Sequence, residues 1–403
     1  MPRWAHVPDE QWRTGRSDVL RRFLPAHLRD HRHAMGRAQR RAVWAITHCR
    51  TAAMGGHLHA CTKCTTREFH FHSCNHRSCP QCGKNATAEW VERELGKRVG
   101  APYFMVTFTL PEELRPLFFT PQAKDIYQLF FAAASSALSD TLANPKWLGA
   151  KTSGFTMVLH TWNQLLYFHP HIHCIVPGAG MDAEGRVVAV KNANFLVPQP
   201  ALRSVFRARL RDALAALQKE HDLPAIDPAV WHKDWGVHLQ PFGSGENIIK
   251  YLGRYVCRTA IGDSRITSIT DTHVSFRWKD RAHGDAVRTE TIEGDEFVKR
   301  YLRHVLPCGL RAVRYYGFCH PAAKVKRERI AFHTGRPLIV GEAPLAPEKP
   351  ARERACQCCG GPMMKLLRLL PAYRNTADMI VKAAKELPDK PTRAPPSDQR
   401  SCA

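Results

Sequence analysis

Apolar residues recur at helical spacing in the first fifty residues of the chain. Their three-to-four-residue period is that of amphipathic helices with one buried stripe. The recurring residues are Val19, Leu20, Phe23, Leu24 and Leu28 in one segment and Ala42, Val43, Ala45 and Ile46 in a second. Arginine fills most of the polar positions between them. The pattern predicts a helical, basic N-terminal segment.

Further along, aromatic and β-branched runs alternate with segments of helical period, which predicts strands separated by helices. In chain order, the predicted elements are a strand at 103–110, a helix at 121–143, strands at 155–160 and 170–176, a helix at 199–220, a strand at 231–239 and a helix at 244–260. The first six follow the order of a ferredoxin-like split βαβ unit. The predicted fold class is therefore α+β.

Changes in composition divide the chain into three predicted parts. Residues 1–97 combine the basic helical segment with a Cys- and His-rich module at about 55–83 that has too few aliphatic residues to build a core without a metal. Residues 98–320 hold the strands and helices. Residues 321–403 form a basic, Pro-rich C-terminal region, in which we expect a linker at 321–355 and a disordered tail at 385–403.

The charge of the chain indicates an acidic partner. There are 59 Lys and Arg against 36 Asp and Glu, a net charge of +23, which suits a nucleic-acid partner. The sequence has no run of 18 apolar residues, so it predicts no membrane-spanning helix, and its N-terminus lacks the pattern of a signal peptide. We therefore expect a cytoplasmic, nucleoid-associated protein whose cysteines bind metal rather than form disulfides.

Four arginines are the candidates for contacts with DNA phosphates: Arg37, Arg40, Arg41 and Arg77. A guanidinium group can bind a phosphate through two parallel hydrogen bonds. The alternative is a solvated basic face without a specific partner.

The Cys- and His-rich module contains two CxxC pairs. Cys61 and Cys64 precede Cys79 and Cys82 by fourteen intervening residues, a spacing close to that of zinc ribbons. We predict that the four thiolates form one tetrahedral site. Because such a site leaves no position for water, its zinc is expected to be structural.

Other cysteines leave further possibilities open. Cys74 and several nearby histidines allow for one substituted ligand or for a second site. Cys356 and Cys359 resemble half of a zinc site, but no second pair follows them. Metal there would need a ligand from elsewhere in the chain.

A histidine-rich strand provides candidate ligands for a catalytic metal. His171 and His173 alternate with apolar residues, so both project from one face, about 7 Å apart. Two imidazoles can bind a divalent ion and leave coordination positions open. If the strands at 155–160 and 170–176 form a hairpin, His160 lies opposite His171 and becomes a candidate third ligand. His169 and Glu246 are the alternatives.

The helix predicted at 244–260 carries candidate nucleophiles. Tyr251 and Tyr255 lie about 40° apart around the helix axis, away from its apolar stripe, with Arg254 and Arg258 just beyond them. A tyrosine hydroxyl can attack phosphorus when cations stabilise the developing charge. The alternative is a pair of amphipathic tyrosines at the border of the core.

Several motifs together resemble those of one family, the two-tyrosine rolling-circle transposases of bacterial insertion sequences (the insertion-sequence ninety-one family), which are HUH endonucleases. The similar segments are Cys61-Thr-Lys-Cys64, Ser73-Cys-Asn-His-Arg-Ser-Cys-Pro-Gln-Cys82, Phe104-Met-Val-Thr-Phe-Thr-Leu-Pro111, His160-Thr-Trp162, His169-Pro-His-Ile-His-Cys-Ile-Val-Pro-Gly178, Tyr251-Leu-Gly-Arg-Tyr-Val-Cys-Arg-Thr-Ala-Ile261 and residues 305–318. They span about residues 15 to 320 in the family's order. Two positions depart from the family's pattern: Cys257 stands where the family commonly has His, and Ala179 stands where it has Gly.

The resemblance implies a zinc-binding N-terminal domain followed by an HUH transposase domain over 98–320. It further implies that His171 and His173 hold Mg²⁺ or Mn²⁺ and that Tyr251 and Tyr255 are the nucleophiles. The expected substrate is single-stranded or hairpin DNA at the ends of a mobile element, opened with the help of a host helicase or replication machinery. The competing interpretations are a plasmid replication initiator or mobilisation relaxase of the HUH type, and a non-catalytic zinc-dependent DNA-binding regulator.

Overall fold

The computed structural model describes residues 19–64, 66–82, 84–256, 259–280, 283–335 and 355–369. Its helices are α1 (Val19–His31), α2 (Arg37–His48), α3 (Lys84–Gly96), α4 (Ala123–Ala143), α5 (Gln199–Glu220), α6 (Glu246–Val256), α7 (Gly294–Leu302) and α8 (Lys324–His333). Its strands are β1 (Gly56–Cys61), β2 (Arg67–Phe71), β3 (Tyr103–Thr109), β4 (Gly154–Trp162), β5 (Phe168–Pro177), β6 (Ala179–Met181), β7 (Val187–Ala189), β8 (Val237–Pro241), β9 (Ile266–Ile269), β10 (His273–Asp280), β11 (Ala286–Glu293), β12 (Val313–Gly317) and β13 (Met363–Leu369). None of these helices combines the length and apolar character needed to cross a bilayer.

A five-stranded antiparallel sheet of order β12-β4-β5-β3-β8 forms the centre of the molecule. Alternate residues of β3, such as Phe104 and Phe108, project into the main core beneath α4 and α5, where Phe130 and Phe206 are fully buried. This alternation leaves the opposite face of β3 and β5 available for other groups. The mixed architecture of helices and an antiparallel sheet agrees with the α+β prediction.

The second face of the central sheet is covered at one end by α3 and α6. Tyr103 and Ile175 pack there against Trp90 of α3 and against Ile248 and Leu252 of α6. The other end of this face is not covered by these two helices. It is there that polar side chains of β3, β4 and β5 line a cleft.

One predicted strand differs from the structure. Residues 231–239 were expected to be extended, but β8 begins only at Val237. Residues 228–231 form a short 3₁₀-helix, because Pro228 fixes the first turn and the Asp227 side chain accepts a hydrogen bond from the amide of Ala229. The apolar residues Val230 and Trp231 therefore belong to a helical turn and not to a strand.

The N-terminal helices join a second core. Apolar residues of α1, among them Leu20 and Leu24, are buried with Phe276 and Phe297, beside the small sheet of order β11-β10-β9. The apolar stripe predicted from 19 to 28 thus faces a partner more than 200 residues later in the sequence.

A third sheet, of order β13-β1-β2, joins the N-terminal region to residues 363–369. Residues 321–355 were predicted to be a linker, yet α8 lies within them, while β13 lies between that linker and the tail predicted at 385–403. Ile330 of α8 is fully buried in the core that includes residues of α3 and α6. Residues 336–354 and 370–403 lie outside the described part of the chain.

Candidate active site and metal centres

Three histidines on β4 and β5 face one another across the strand pair. His160 lies directly opposite His171, so the predicted pairing is confirmed. His171 and His173 share a face because Ile172 between them is buried in the core on the other side. One nitrogen from each ring lies within 4.8 Å of the other two, close enough to surround a single ion.

Hydrogen bonds orient two of these rings. The protonated Nδ1 of His171 donates to the carbonyl oxygen of His169 at 2.7 Å, which leaves the lone pair on Nε2. The Nδ1 of His173 is hydrogen-bonded to Thr107 Oγ1 at 2.9 Å. Such second contacts are typical of metal-binding imidazoles, because they fix the tautomer and the ring orientation.

The third histidine provides a neutral imidazole. Burial lowers the pKa of His160 well below its ordinary value, and nearby His173 and His171 lower it further. The unprotonated ring is the form that binds a metal. The three rings therefore fit a divalent ion with open coordination positions, although imidazole ligands alone do not select Mg²⁺ or Mn²⁺ over Zn²⁺.

The other candidates for a third ligand lie elsewhere. His169 Nδ1 is 3.3 Å from Arg115 Nη2, and His169 is outside the three-histidine group. Glu246 begins α6, where it pairs with Lys250 and with Arg98. Among the three alternatives, the structure thus brings His160 to His171 and His173.

A cleft of about 1120 Å³ joins the three histidines to Tyr251. Its wall also includes the cations Arg265 and Lys279. Tyr251 is half-buried on α6. Tyr255 and Arg254 lie on the same helix, but their side chains, and the whole of Arg258, are outside the described part of the structure.

Two glycines position α6 beside the cleft. Gly245 precedes the helix with a φ of +77°, and a Cβ there would lie 2.4 Å from the ring of Tyr103. A Cβ on Gly253, inside the helix, would lie 2.1 Å from Val91 of α3. Glycine at both positions lets the helix approach its neighbours closely, which fixes the place of Tyr251 relative to the histidines.

The four cysteines predicted to form one zinc site lie in two separate groups, so that prediction is wrong. The first cysteine cluster consists of Cys49, Cys74, Cys79 and Cys82. The second cysteine cluster consists of Cys61, Cys64, Cys356 and Cys359. All four predicted cysteines remain candidate ligands, but the two CxxC pairs belong to different sites.

The β1–β2 hairpin is the reason for this separation. Cys61 and Cys64 lie at its turn, where the amide of Cys61 donates to the carbonyl of Thr66. The chain then runs back along β2, and bonds of residue 72 to residues 50 and 55 hold it beside the end of α2. Five or six residues of strand place the two ends about 17 Å apart.

The first cysteine cluster has the geometry of a thiolate zinc site. The Sγ atom of Cys82 lies 3.5 Å from that of Cys49 and 3.6 Å from that of Cys74. Four zinc–sulfur bonds of about 2.3 Å in a tetrahedron place sulfurs about 3.8 Å apart. Hydrogen bonds from Cys49, Cys74 and Cys79 lower the pKa of Cys82, which favours a thiolate. Sequence reasoning missed Cys49, because a single cysteine after a helix carries no spacing signal.

Replacing Cys79 with Ser should remove the zinc of the first cysteine cluster and lower the melting temperature of the N-terminal region. Cys79 lies in the loop that follows β2 and is buried beside Cys49 at the end of α2, so the variant loses one of four ligands and with it the folding free energy of metal binding. Elemental analysis and thermal unfolding would measure both effects. Cys308, which is exposed and outside both clusters, provides the control Cys308→Ser, and equal zinc contents in the two variants would contradict the assignment.

The predicted DNA-binding arginines lie on α2 and on the loop that follows β2. Arg37, Arg40 and Arg41 are exposed on α2. Arg77, also exposed, donates to the carbonyl of Leu310 at 2.8 Å and lines a cavity of about 370 Å³. That cavity shares Trp162 with the cleft, so the loop of the first cysteine cluster borders the histidine site.

Two segments of the chain match known protein families. Residues 19–110 match a family model described as "Transposase zinc-binding domain", and residues 154–328 match one described as "Putative transposase". The second match includes both the three histidines and α6.

Two curated relatives are similar over most of their length. The chain is 39% identical over 318 residues to "Putative transposase y4qJ" of Sinorhizobium fredii, which covers 75% of this chain and 79% of the relative. It is 28% identical over 288 residues to "Transposase for insertion sequence element IS801" of Pseudomonas savastanoi pv. phaseolicola, with 67% of each chain covered. No solved structure matches the chain.

Proposed function

The chain belongs to the transposases of the insertion-sequence ninety-one family, and from that membership we propose that it is a two-tyrosine nuclease of the HUH type. In this proposal, residues 98–320 form the nuclease domain and residues 1–97 a zinc-stabilised domain that helps to hold DNA. The reaction is cleavage and rejoining of single-stranded DNA at the ends of the mobile element, in rolling-circle transposition.

One observation carries the proposal: His160, His171 and His173 line the same cleft as Tyr251. A metal-binding group and a nucleophile must meet at one phosphate for this chemistry. The strand order β4-β5-β3-β8, with α4 and α5 as the connecting helices, is consistent with the split βαβ core expected of such a domain.

The three histidines would hold a Mg²⁺ or Mn²⁺ ion, which when bound withdraws charge from the non-bridging oxygens of the scissile phosphate. The protein's part is to keep the rings oriented and unprotonated. The carbonyl of His169 holds the tautomer of His171, Thr107 orients His173, and burial keeps His160 neutral.

In the covalent step, the phenolic oxygen of Tyr251 or Tyr255 attacks phosphorus. The bond from phosphorus to the tyrosine oxygen forms while the bond to the 3′ oxygen breaks. The products are a 5′-phosphotyrosine and a 3′-hydroxyl, with the phenolic proton released and one taken up by the leaving oxygen. Arg254 and Arg258 lie on or just after α6 in the sequence, where their positive charge would stabilise the developing negative charge.

Two tyrosines suit a reaction with two cuts. One tyrosine can hold the first DNA end while the second cleaves the other end, and rejoining reverses the same step. Because the phosphotyrosine conserves the energy of the phosphodiester, rejoining needs no ATP. The sequence contains no GxxxxGK[ST] phosphate-binding loop, so separation of the DNA strands would fall to a host helicase or the replication machinery.

The observations favour this function over its competitors. The match of residues 19–110 to a transposase zinc-binding domain favours a transposase over a replication initiator or a mobilisation relaxase. A non-catalytic DNA-binding regulator has no use for three clustered imidazoles beside a tyrosine.

Covalent capture of DNA tests the proposal. The full chain, incubated with Mn²⁺ and a labelled single strand containing an end of the element, should give a labelled protein band on a denaturing gel. A single strand of the same composition in scrambled order is the control. If no strand from either end of the element gives a labelled protein band, the proposal is contradicted.

Removing the three arginines of α2 should weaken DNA binding and its dependence on salt. Each contact with a single-stranded phosphate contributes about 0.7 to the slope of log affinity against log salt concentration, so Arg37→Ala, Arg40→Ala and Arg41→Ala together should lower the slope by about 2. Fluorescence anisotropy of labelled DNA, recorded at salt concentrations between about 50 and 200 mM, gives the affinities from which this slope is calculated. Arg186→Ala is the control, because Asp182 and Glu184 already neutralise that exposed side chain. Equal slopes for both variants would refute the role of α2.

A further inference from the structure

The second cysteine cluster joins parts of the chain that are almost 300 residues apart. Cys61 Sγ lies 3.5 Å from Cys359 Sγ. Cys64 Sγ lies 3.7 Å from Cys356 Sγ and 3.6 Å from Cys359 Sγ. The two CxxC pairs therefore come together as four sulfurs around one centre.

These distances fit a tetrahedral ion rather than disulfides. A disulfide bond is about 2.05 Å long, whereas sulfurs bound to one zinc ion lie about 3.8 Å apart. The amide of Lys63 points to Cys61 Sγ at 3.3 Å, a contact that stabilises a thiolate. On the opposite side, Gly360 has a φ of +68°, and the amide of Cys356 donates to the carbonyl of Gly361, which forms the tight turn that carries the second pair.

Strand pairing supports the same junction independently of the sulfurs. β13 runs antiparallel to β1 from Gly56 opposite Leu369 to Cys61 opposite Met363. The amide of Thr62 continues this contact by donating to the carbonyl of Pro362. Without β13, β1 would form the edge of a two-stranded hairpin, an arrangement that is marginally stable in water.

Among the side chains that the structure describes in this sheet, few apolar ones are buried. Leu58, Ala60 and Phe69 are buried in it, but none of the three belongs to the larger cores described above. A module with so small a core needs another source of folding free energy, and metal binding can supply it.

We propose that Cys61, Cys64, Cys356 and Cys359 form a second structural zinc site, and that this site makes residues 355–369 an integral part of the N-terminal zinc module. The matching zinc-domain family model ends at residue 110, so it does not include this C-terminal half. The ion links distant segments of the chain. It therefore stabilises the module both by its bonds and by restricting the unfolded chain.

Zinc stoichiometry of the full-length chain tests the proposal. The measurement compares variants, so that any zinc held by the three histidines cancels. Cys356→Ser with Cys359→Ser should lower the zinc content by one ion per chain. Cys61→Ser with Cys64→Ser should remove the same ion, so all four substitutions together should also remove only one. Cys358→Ser is the matched control, because Cys358 is an exposed neighbour outside the cluster and its variant should keep the full zinc content. An unchanged zinc content in the Cys356/Cys359 variant, or the loss of two ions when all four cysteines are replaced, would overturn the proposal.

A second measurement does not depend on the folding of a cysteine variant. A protease recognition sequence is inserted between residues 336 and 354 of the full chain, and the purified protein is cut there. The fragment that carries β13 should elute with the rest of the chain in gel filtration and should separate after a zinc chelator is added. A fragment that separates before chelation, or remains attached after all zinc has been removed, would contradict a zinc-held junction.

Discussion

Replacing both Tyr251 and Tyr255 with phenylalanine should abolish the covalent adduct between the protein and single-stranded DNA. Phenylalanine keeps the ring and removes only the oxygen that we propose attacks phosphorus, so the loss should be complete rather than partial. DNA binding should stay within about threefold of the unmodified chain, since phosphate contacts carry most of the affinity. A denaturing gel measures the adduct, and anisotropy measures binding.

The single variants separate the roles of the two hydroxyl groups. Each should still form an adduct with one DNA end but fail in transfer, because a reaction with two cuts needs two nucleophiles. Tyr167→Phe is the control: Tyr167 is exposed, and its ring rather than its hydroxyl lies over Arg300, so adduct formation should be unchanged. A labelled adduct in the double Tyr251/Tyr255 variant would show that another side chain is the nucleophile.

The histidine site was predictable because its geometry is local. Residues two apart on a strand share a face, and a short hairpin fixes which residue lies opposite which. The alternation around Ile172 therefore predicted the common face of His171 and His173, and the hairpin predicted His160 opposite His171. The sequence could not choose among three possible third ligands. For Glu246 the outcome depends on where α6 packs, and the close approach of Gly253 to Val91 is a long-range contact that contributes to it.

The zinc sites were mispredicted because their ligands combine over long distances. Spacing in the sequence pairs each CxxC with its nearest neighbour, but the β1–β2 hairpin places Cys61 and Cys79 at opposite ends. Cys49 and Cys356 then complete the two clusters. No local sequence pattern predicts that the strand after residue 362 pairs with β1. The same holds for α8, whose buried Ile330 packs on a core that the local composition does not indicate.

Replacing His171 with Ala should lower the rate of DNA cleavage by about a thousandfold or more, with binding preserved. The change removes one of the three imidazoles that would hold the proposed ion, and an ion that neutralises charge on a reacting phosphate contributes several kcal/mol to the transition state. His173→Ala should behave alike. His238 lies in the same cleft but outside the three-histidine group, so His238→Ala should keep cleavage within about tenfold. Equal losses for His171→Ala and His238→Ala would argue against a metal site at these rings.

Thr107→Val distinguishes metal binding from a general role of the cleft. Valine has nearly the shape of threonine but lacks the hydroxyl that holds His173 Nδ1. Losing such an orienting partner typically costs 10–100-fold in metal affinity. Cleavage by this variant should therefore fall by about that factor at limiting Mn²⁺ and recover at saturating Mn²⁺, whereas the double Tyr→Phe variant should stay inactive at every concentration. If Thr107→Val instead lowers cleavage equally at all Mn²⁺ concentrations, the hydroxyl acts on DNA rather than on the ring of His173, because only an effect on metal affinity disappears when the site is saturated.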